Sequence, residues 1–443
     1  MRILLVSANQ EQRPDPVVPL GTLYVAGAAR AAGHLVALHD CCFDGAAFAE
    51  PLLATIVRER PDVIGLSMRN VDDVAWPRAH GWLNYYRAVM GVLRNAGVPI
   101  VLGGAGFTLF PEAWMDALDA NYGIAGEGER AFVELLGVLS RGEFAPRVTR
   151  VPSGSGDISA DPALDLVDLD RYFRMGGAAN VQTRRGCPFT CTYCTYPELE
   201  GRRARLRDPE RVVDGIARLY EQRRIDHFFL VDNVFNVPRR HASAICKALI
   251  ARALPVRWTA FVSPHALPHA LLRQMARAGC DSVELGTDAA TPATLSALGK
   301  PFGVEAIRTA AEGCKAAGIR FSHSLILGGP GETPETLRQT LQIIEDTDPT
   351  AVVAMLGVRL YQGTPLGRRA LAEGWVQDIG LEPVFYVSPE VQDTLEAWAA
   401  DVMRKHPRWY FPGLAGERTE RFLRAIRRTG VKGPLWTLLG PPR

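Results

Sequence analysis

Short apolar runs alternating with amphipathic stretches dominate the first third of the chain. Residues 2–8, Arg-Ile-Leu-Leu-Val-Ser-Ala, form an apolar run of the length expected for a parallel strand buried on both faces. Leu20, Leu23, Tyr24, Gly27, Ala28 and Ala31 then recur at helical spacing, and Gly33 stops the helix. Strand-like runs follow at 35–39, 62–68, 99–103 and 122–125, with amphipathic stretches between them. This alternation predicts a doubly wound, Rossmann-like α/β domain over 1–142, with about five parallel strands. Ligands of such sheets lie over the carboxyl ends of the strands. Those ends carry Ser67-Met-Arg-Asn70, Gly103-Gly-Ala-Gly106 and Gly126-Glu-Gly-Glu129. No GxGxxG follows the first strand and no GxxxxGK[ST] occurs, which argues against a dinucleotide or ATP.

Residues 143–176 are rich in Pro, Ser, Gly and Asp, from Val151-Pro-Ser-Gly-Ser-Gly-Asp157 to Asp161-Pro-Ala-Leu-Asp-Leu-Val-Asp168, and read as a linker. Beyond it, strand-like runs recur at Asn180–Thr183, His227–Val231, Trp258–Val262, Ser282–Gly286, Arg320–Leu327 and Val352–Leu360. Helical segments lie between them, and Thr333 with Pro334 reads as an N-cap followed by a first-turn proline. Six βα repeats over 177–372 predict a partial (β/α)6 barrel, with functional groups at the C-terminal strand ends. The remainder, 373–443, is a mainly helical extension holding Trp375, Trp398, Trp409, Tyr410, Phe411 and Trp436. Packing over the open side of the barrel is the favoured role for these aromatics, and a substrate cap the alternative. Arg418, Arg421, Arg424, Arg427 and Arg428 read as a solvated helix face, or less often a docking surface for an electron donor.

Composition narrows the functional classes. A chain of 443 residues that is 47% hydrophobic suits two or three domains with filled cores. A net charge of +2 supplies no nucleic-acid stripe, and no run is long and apolar enough for a membrane span. The apolar start is not built like a signal peptide. The cysteines at 41, 42, 187, 191, 194, 246, 280 and 314 have no disulfide rhythm, so a reducing cytoplasm is expected. Cys246, Cys280 and Cys314 read as buried thiols, and adjacent Cys41 and Cys42 as structural.

The chemistry concentrates in Gly186-Cys-Pro-Phe-Thr-Cys-Thr-Tyr-Cys-Thr-Tyr196. Cys187, Cys191 and Cys194 stand at CxxxCxxC spacing, three thiolates for three corners of a [4Fe–4S] cube with one iron left open. A structural zinc site wants four closed ligands. Gly186 and Pro188 keep the segment a loop so that the sulfurs converge, and Tyr193 offers a flat face beside them. Three buried core cysteines are the plain alternative.

This motif resembles the signature of the radical S-adenosylmethionine (SAM) superfamily, in which the open iron holds the amino and carboxylate groups of SAM. The resemblance implies further contacts at the strand ends. Val231-Asp-Asn-Val-Phe-Asn236 would bind the SAM amino group, with Asp232 suited to the ammonium and Asn233 beside it. Glu284-Leu-Gly-Thr-Asp-Ala289 would contact ribose or carboxylate through Glu284 and Asp288, although Asp288 stands where the family pattern has Glu. Ser324-Leu-Ile-Leu-Gly-Gly-Pro-Gly-Glu-Thr333 would take the adenine, with Ile326 against the base and Gly328 admitting it. Arg359, Tyr361 and Gln362 would face substrate or the SAM carboxylate.

Pro19–Gly33, Pro61–Ser67, Gly103-Gly104 and Gly126-Glu-Gly-Glu129, in that order ahead of the cysteines, resemble the cobalamin-binding domain fused to many radical SAM enzymes. By that resemblance Ser67, Arg69, Asn70, Gly103, Gly104, Gly126 and Glu127 would surround cobalamin, with Arg69 at the corrin face. An ion pair of Arg69 with Asp72 or Asp73 is the alternative role, and a domain that binds nothing the alternative to cobalamin. The loop Asn9–Pro16 lacks the Asp-x-His-x-x-Gly of families that ligate cobalt through histidine, and His39 reads as a surface or sheet-end residue. Together the resemblances imply a cobalamin-dependent radical SAM C-methyltransferase acting on an unactivated carbon of a small molecule, with an external donor such as flavodoxin or ferredoxin. Another radical reaction on the same cofactors (cyclisation, ring rearrangement or oxidation) is the alternative, and an iron–sulfur redox sensor a third reading.

Overall fold

In a computed structural model, which describes residues 1–156 and 158–439 apart from the side chains of Glu417, Arg418 and Glu420, the first apolar run becomes strand β1 (Arg2–Ser7). It heads a parallel sheet with β2 (Leu35–Asp40), β3 (Val63–Ser67), β4 (Ile100–Gly103), β5 (Tyr122–Ala125) and β6 (Val148–Arg150), in the order β2-β1-β3-β4-β5-β6. Successive residues of β1 feed opposite layers: Leu4 and Val6 pack into one helical core, Ile3 and Leu5 into the other. Burial on both faces is why this strand reads as a continuous apolar run. The sixth strand lies in the stretch expected as a linker. Only Val148 of Val-Thr-Arg is apolar, so an edge strand left no hydrophobic signal there. Asp157 of that stretch lies outside the described residues.

The second sheet is also parallel. Its strands are β7 (Ala179–Val181), β10 (His227–Leu230), β11 (Arg257–Val262), β12 (Cys280–Asp288), β13 (Arg320–Leu327), β14 (Ala351–Leu356) and β17 (Trp409–Tyr410), in the order β17-β14-β13-β12-β11-β10-β7. Two short antiparallel pairs complete the set: β8 (Arg184–Arg185) with β9 (Arg205–Leu206), and β15 (Val358–Arg359) with β16 (Phe385–Tyr386). The six expected strands are present, but the last breaks at Gly357 (φ +67°) into β14 and β15, and the extension adds β17 beside β14. Thr333 caps the helix Pro334–Asp346 through a reciprocal bond with Thr336.

Helices cover only the outside of this partial barrel. On β13, Phe321, Leu325 and Leu327 face the helical layer and are buried, whereas the inward Ser324 and Ile326 stay partly open. The same alternation recurs on β12 and β14, so the barrel holds an open lumen where a closed barrel would be filled by side chains. Among the aromatics of the extension, Trp409 and Phe411 are buried against the β13–β14 side, as packing requires. Arg427, expected on a solvated face, is only 3% exposed and grips both oxygens of Asp15 at 2.7–2.8 Å. Arg418, by contrast, has its side chain outside the described residues.

Gly104 adopts φ +97°, and a Cβ there would lie 2.5 Å from the Met68 carbonyl oxygen. Gly104→Val is therefore expected to destabilise the first domain by about 1–3 kcal/mol, seen as an earlier first transition in thermal denaturation. An unchanged melting profile would contradict this close approach.

Candidate cofactor site

The cysteine loop leaves β8 through Gly186, whose φ of +89° and missing Cβ let Arg203 approach; its carbonyl oxygen lies 2.2 Å from where a Cβ would be. Backbone bonds then shape the loop: Cys187 N–H donates to Gly201 (3.0 Å), Thr192 N–H to Leu298 (3.0 Å) and Cys194 N–H to Cys191 (3.3 Å). All three thiols are free, and they lie close enough to raise one another's pKa. Burial raises each of them, Cys194 to about 12. Lys300 opposes this at Cys187 and Cys191 with its charge and pairs with Asp288, to which the Tyr193 hydroxyl also donates. A convergent, partly open set of three soft ligands beside a cation fits an anionic iron–sulfur cluster.

Arg185, two residues before Cys187, ties this loop to the first sheet. Its guanidinium meets Glu129 at 2.6 Å and Glu127 at 3.2 Å, all three side chains being 7–8% exposed. Burial works against the charge, but Glu129 and Glu127 outweigh it and hold the guanidinium protonated. Arg205 clamps both oxygens of Glu127 at 2.6 Å, and Gly156 N–H donates to the same carboxylate at 2.9 Å. A second cross-link joins Arg359 to Asp72 at 2.7 Å, with both side chains under 5% exposed. Arg185 and Arg207 also lie over the Tyr24 ring at 5.1 and 5.0 Å.

These ties set the carboxyl edge of the first sheet against the cysteine loop. The short helix Ala105–Leu109 packs on Tyr196–Leu199, directly after Cys194. Tyr196 neighbours Glu200, Cys194, Arg69 and Cys187, and 42% of its surface is open at this junction. Ser67, Asn70 and Gly103 are partly open on the facing sheet edge, and Arg69 is exposed there. Arg69 makes no ion pair among the described residues: Asp72 is taken by Arg359 and Asp73 by Arg13, which removes its alternative role. A partly open strand edge facing the cysteine loop fits a planar macrocycle laid against it.

Several expected contacts are spent elsewhere. Glu127 is an interdomain ion-pair residue with both oxygens occupied, so it has no lone pair to turn toward cobalamin. Backbone crowding against Met68 and Val151 already requires glycine at 104 and 126. Asp232 is 1% exposed and accepts from Thr183 N–H (2.7 Å), Thr183 Oγ1 (2.6 Å) and Arg184 N–H (3.1 Å), so it is not available to an ammonium. Asn233 is better placed: its Nδ2 donates to Glu200 at 2.8 Å, while its buried Oδ1 has no partner. Glu284 lies four residues below the end of β12 and accepts from Trp436 Nε1 at 3.1 Å, too deep for a strand-end contact. Asp288 is held by Tyr193 and Lys300 beside the cysteines. Gly328 (φ +86°) forms a turn, while Ile326 faces the lumen. Arg359 faces the domain junction, not the barrel mouth. His39 is buried, with Nδ1 3.0 Å from Thr55 and Nε2 2.9 Å from Asp44.

The sequence reasoning missed Arg185, Arg205, Glu200 and Lys300. An Arg-Arg pair directly before Gly186-Cys187 was the available signal, since charge beside a cluster loop needs a partner. Arg185→Met leaves Glu127 and Glu129 buried with half their counter-charge removed. It is expected to cost roughly 3–5 kcal/mol in urea unfolding and to lower iron retention; stability and iron content equal to the parent would refute the role given to this pair.

The comparisons agree with this geometry. The radical SAM superfamily model matches residues 181–344, and the B12-binding domain model matches residues 11–136. An uncharacterised methyltransferase of Pyrococcus horikoshii is 26% identical, with 87% of each chain covered. The tryptophan 2-C-methyltransferase of Streptomyces laurentii is 25% identical over 80% of this chain and 72% of that one. The solved radical SAM methyltransferase TsrM of Kitasatospora setae, with tryptophan and a SAM analogue bound, superposes at a TM-score of 0.88 and 23% identity, covering 99% and 97% of the two chains. Both domains, in this order, place the chain among the cobalamin-binding radical SAM enzymes, with a [4Fe–4S] cluster, SAM and cobalamin as its cofactors.

Proposed function

We propose that the protein is a C-methyltransferase that transfers a methyl group to an unactivated carbon of a small molecule. The observation that carries this reading is the junction at which the carboxyl edge of the first sheet packs on the cysteine loop, through the helices Ala105–Leu109 and Tyr196–Leu199 and the Arg185 ion pairs. When bound, the cluster and cobalamin supply one-electron cleavage of SAM and a methyl carrier.

The protein's own residues then have positioning tasks. Cys187, Cys191 and Cys194 hold the cluster, and Lys300 balances its charge. Asn233, with its unpartnered Oδ1 and its tie to Glu200, is suited to receive the SAM ammonium in place of Asp232. Ile326 offers an apolar wall for the adenine. Ser67, Arg69, Asn70 and Gly103 would hold the cobalamin, and the loop Asn9–Pro16 has no histidine to offer it. The electron comes from an external carrier protein of the flavodoxin or ferredoxin kind.

Methylation of an unactivated carbon consumes two SAM per product, one ending as 5′-deoxyadenosine and the other as S-adenosylhomocysteine. Reconstituted enzyme turning over its substrate is expected to give the two in a ratio of about one to one against methylated product. Deoxyadenosine at full conversion with no S-adenosylhomocysteine would exclude methyl transfer. S-adenosylhomocysteine without deoxyadenosine would point to polar transfer onto a nucleophilic carbon.

A further inference from the structure

Glu284 is an acid without a cation. It sits mid-strand on β12, facing into the barrel, with Phe261 of β11 and Ser322 of β13 level with it on either side. Its Oε1 accepts the indole N–H of Trp436 at 3.1 Å, and among the described residues no Lys, Arg or His pairs with it. Asp15, also nearby, raises its pKa further, to about 7 together with the larger effect of burial. Ser322 is 0% exposed, and its Oγ has no hydrogen-bond partner. By strand alternation it shares the inward face of Ser324, since Phe321 and Leu325 belong to the outer core. On the β11 side of Glu284, Phe261 and Phe229 form an aromatic wall with ring centroids 5.0 Å apart.

A buried carboxylate with one neutral donor, next to a hydroxyl with none, is an expensive arrangement unless something else fills it. Glu284, Phe229, Phe261 and Ser324 each keep part of their surface uncovered on the lumen side, whereas Ser322 is fully covered. Trp436 closes it from the extension and is itself held in place: Arg427 grips Asp15, and the backbone of Thr437 accepts from Arg320. The floor is therefore fixed, and Trp436 shows that Glu284 can accept an indole-type N–H.

We infer that the barrel lumen is the substrate well, and that it takes a ring-bearing small molecule whose ammonium or ring N–H docks on Glu284, with the ring against Phe229 and Phe261. This assignment rests on the methyltransferase reading for its reaction but names its own substrate class. Glu284 is then a specificity-determining residue. An anionic ligand of the same shape is disfavoured, because it would bring a second negative charge to a carboxylate lacking a cation.

Equilibrium dialysis of the reconstituted holoenzyme tests this without turnover. Tryptamine, an aromatic ring carrying an ammonium, is expected to bind, and indole-3-propionate, a similar ring system carrying a carboxylate, to bind at least tenfold more weakly. Glu284→Gln should weaken tryptamine at least tenfold while leaving cluster and cobalamin absorption intact; Glu284→Asp should recover part of the loss, and Phe261→Leu should weaken both probes. Should Glu284→Gln not fold, the Asp and Leu variants and the preference between the two probes still decide. Undiminished tryptamine binding in Glu284→Gln, a preference for indole-3-propionate, or no retention of tryptamine by the parent would overturn the inference. None of these outcomes touches the ratio of SAM products, so failure of the well and failure of the methyltransferase reading remain distinguishable.

Discussion

Arg185 is the residue on which the two halves of the site depend. Its guanidinium is buried against Glu127 and Glu129 of the first domain, two positions before the first cluster cysteine. Taking three charges out of water costs several kcal/mol per ion, and their attraction returns little beyond that cost. Such a network is a poor source of net stability and a good source of geometry. Any rearrangement of the cysteine loop against the sheet leaves a buried charge without its partner. Arg205 grips the same Glu127, and Arg359 on Asp72 applies the constraint at a second point. The junction between sheet edge and cysteine loop follows from these contacts, which act at two separate places.

The extension works from the other end of the barrel. Trp409 and Phe411 add a strand and apolar cover beside β14, whereas Arg427, Thr437 and Trp436 fasten the chain across the barrel floor to Asp15, Arg320 and Glu284. A (β/α)6 sheet that does not close needs such a cover. One consequence is that the loop after β1 touches both the segment that follows β3, through Arg13 and Asp73, and the segment that floors the lumen, through Asp15 and Arg427.

Much of this architecture was legible in the sequence because it is written in patterns with a fixed period. Buried parallel strands leave apolar runs, and outer helices leave a stripe. β6 and β17 escaped because an edge strand of two or three residues has no period to detect. The cysteines were legible because three ligands of one kind stood within eight residues of sequence. Asp232, Glu127 and Arg359 were misplaced for a common reason: a charged residue at a strand end looks the same in sequence whether it meets a ligand or another part of the chain. Their partners, Thr183, Arg205 and Asp72, are far away along the chain. Asn233 and Glu284 became interpretable only once unpartnered atoms and depth within the barrel were known.

The buried ion pairs set the cysteine loop against the carboxyl edge of the first sheet, so cobalamin and the cluster bound there would lie side by side. Electron paramagnetic resonance of the fully reconstituted protein tests this most directly, with cobalamin as cob(II)alamin and the cluster reduced. Two interacting spins are expected: cob(II)alamin lines without nitrogen splitting from a histidine, broadened when the cluster is reduced and sharp when it is oxidised. A cob(II)alamin spectrum that is the same in both cluster states would contradict this shared junction.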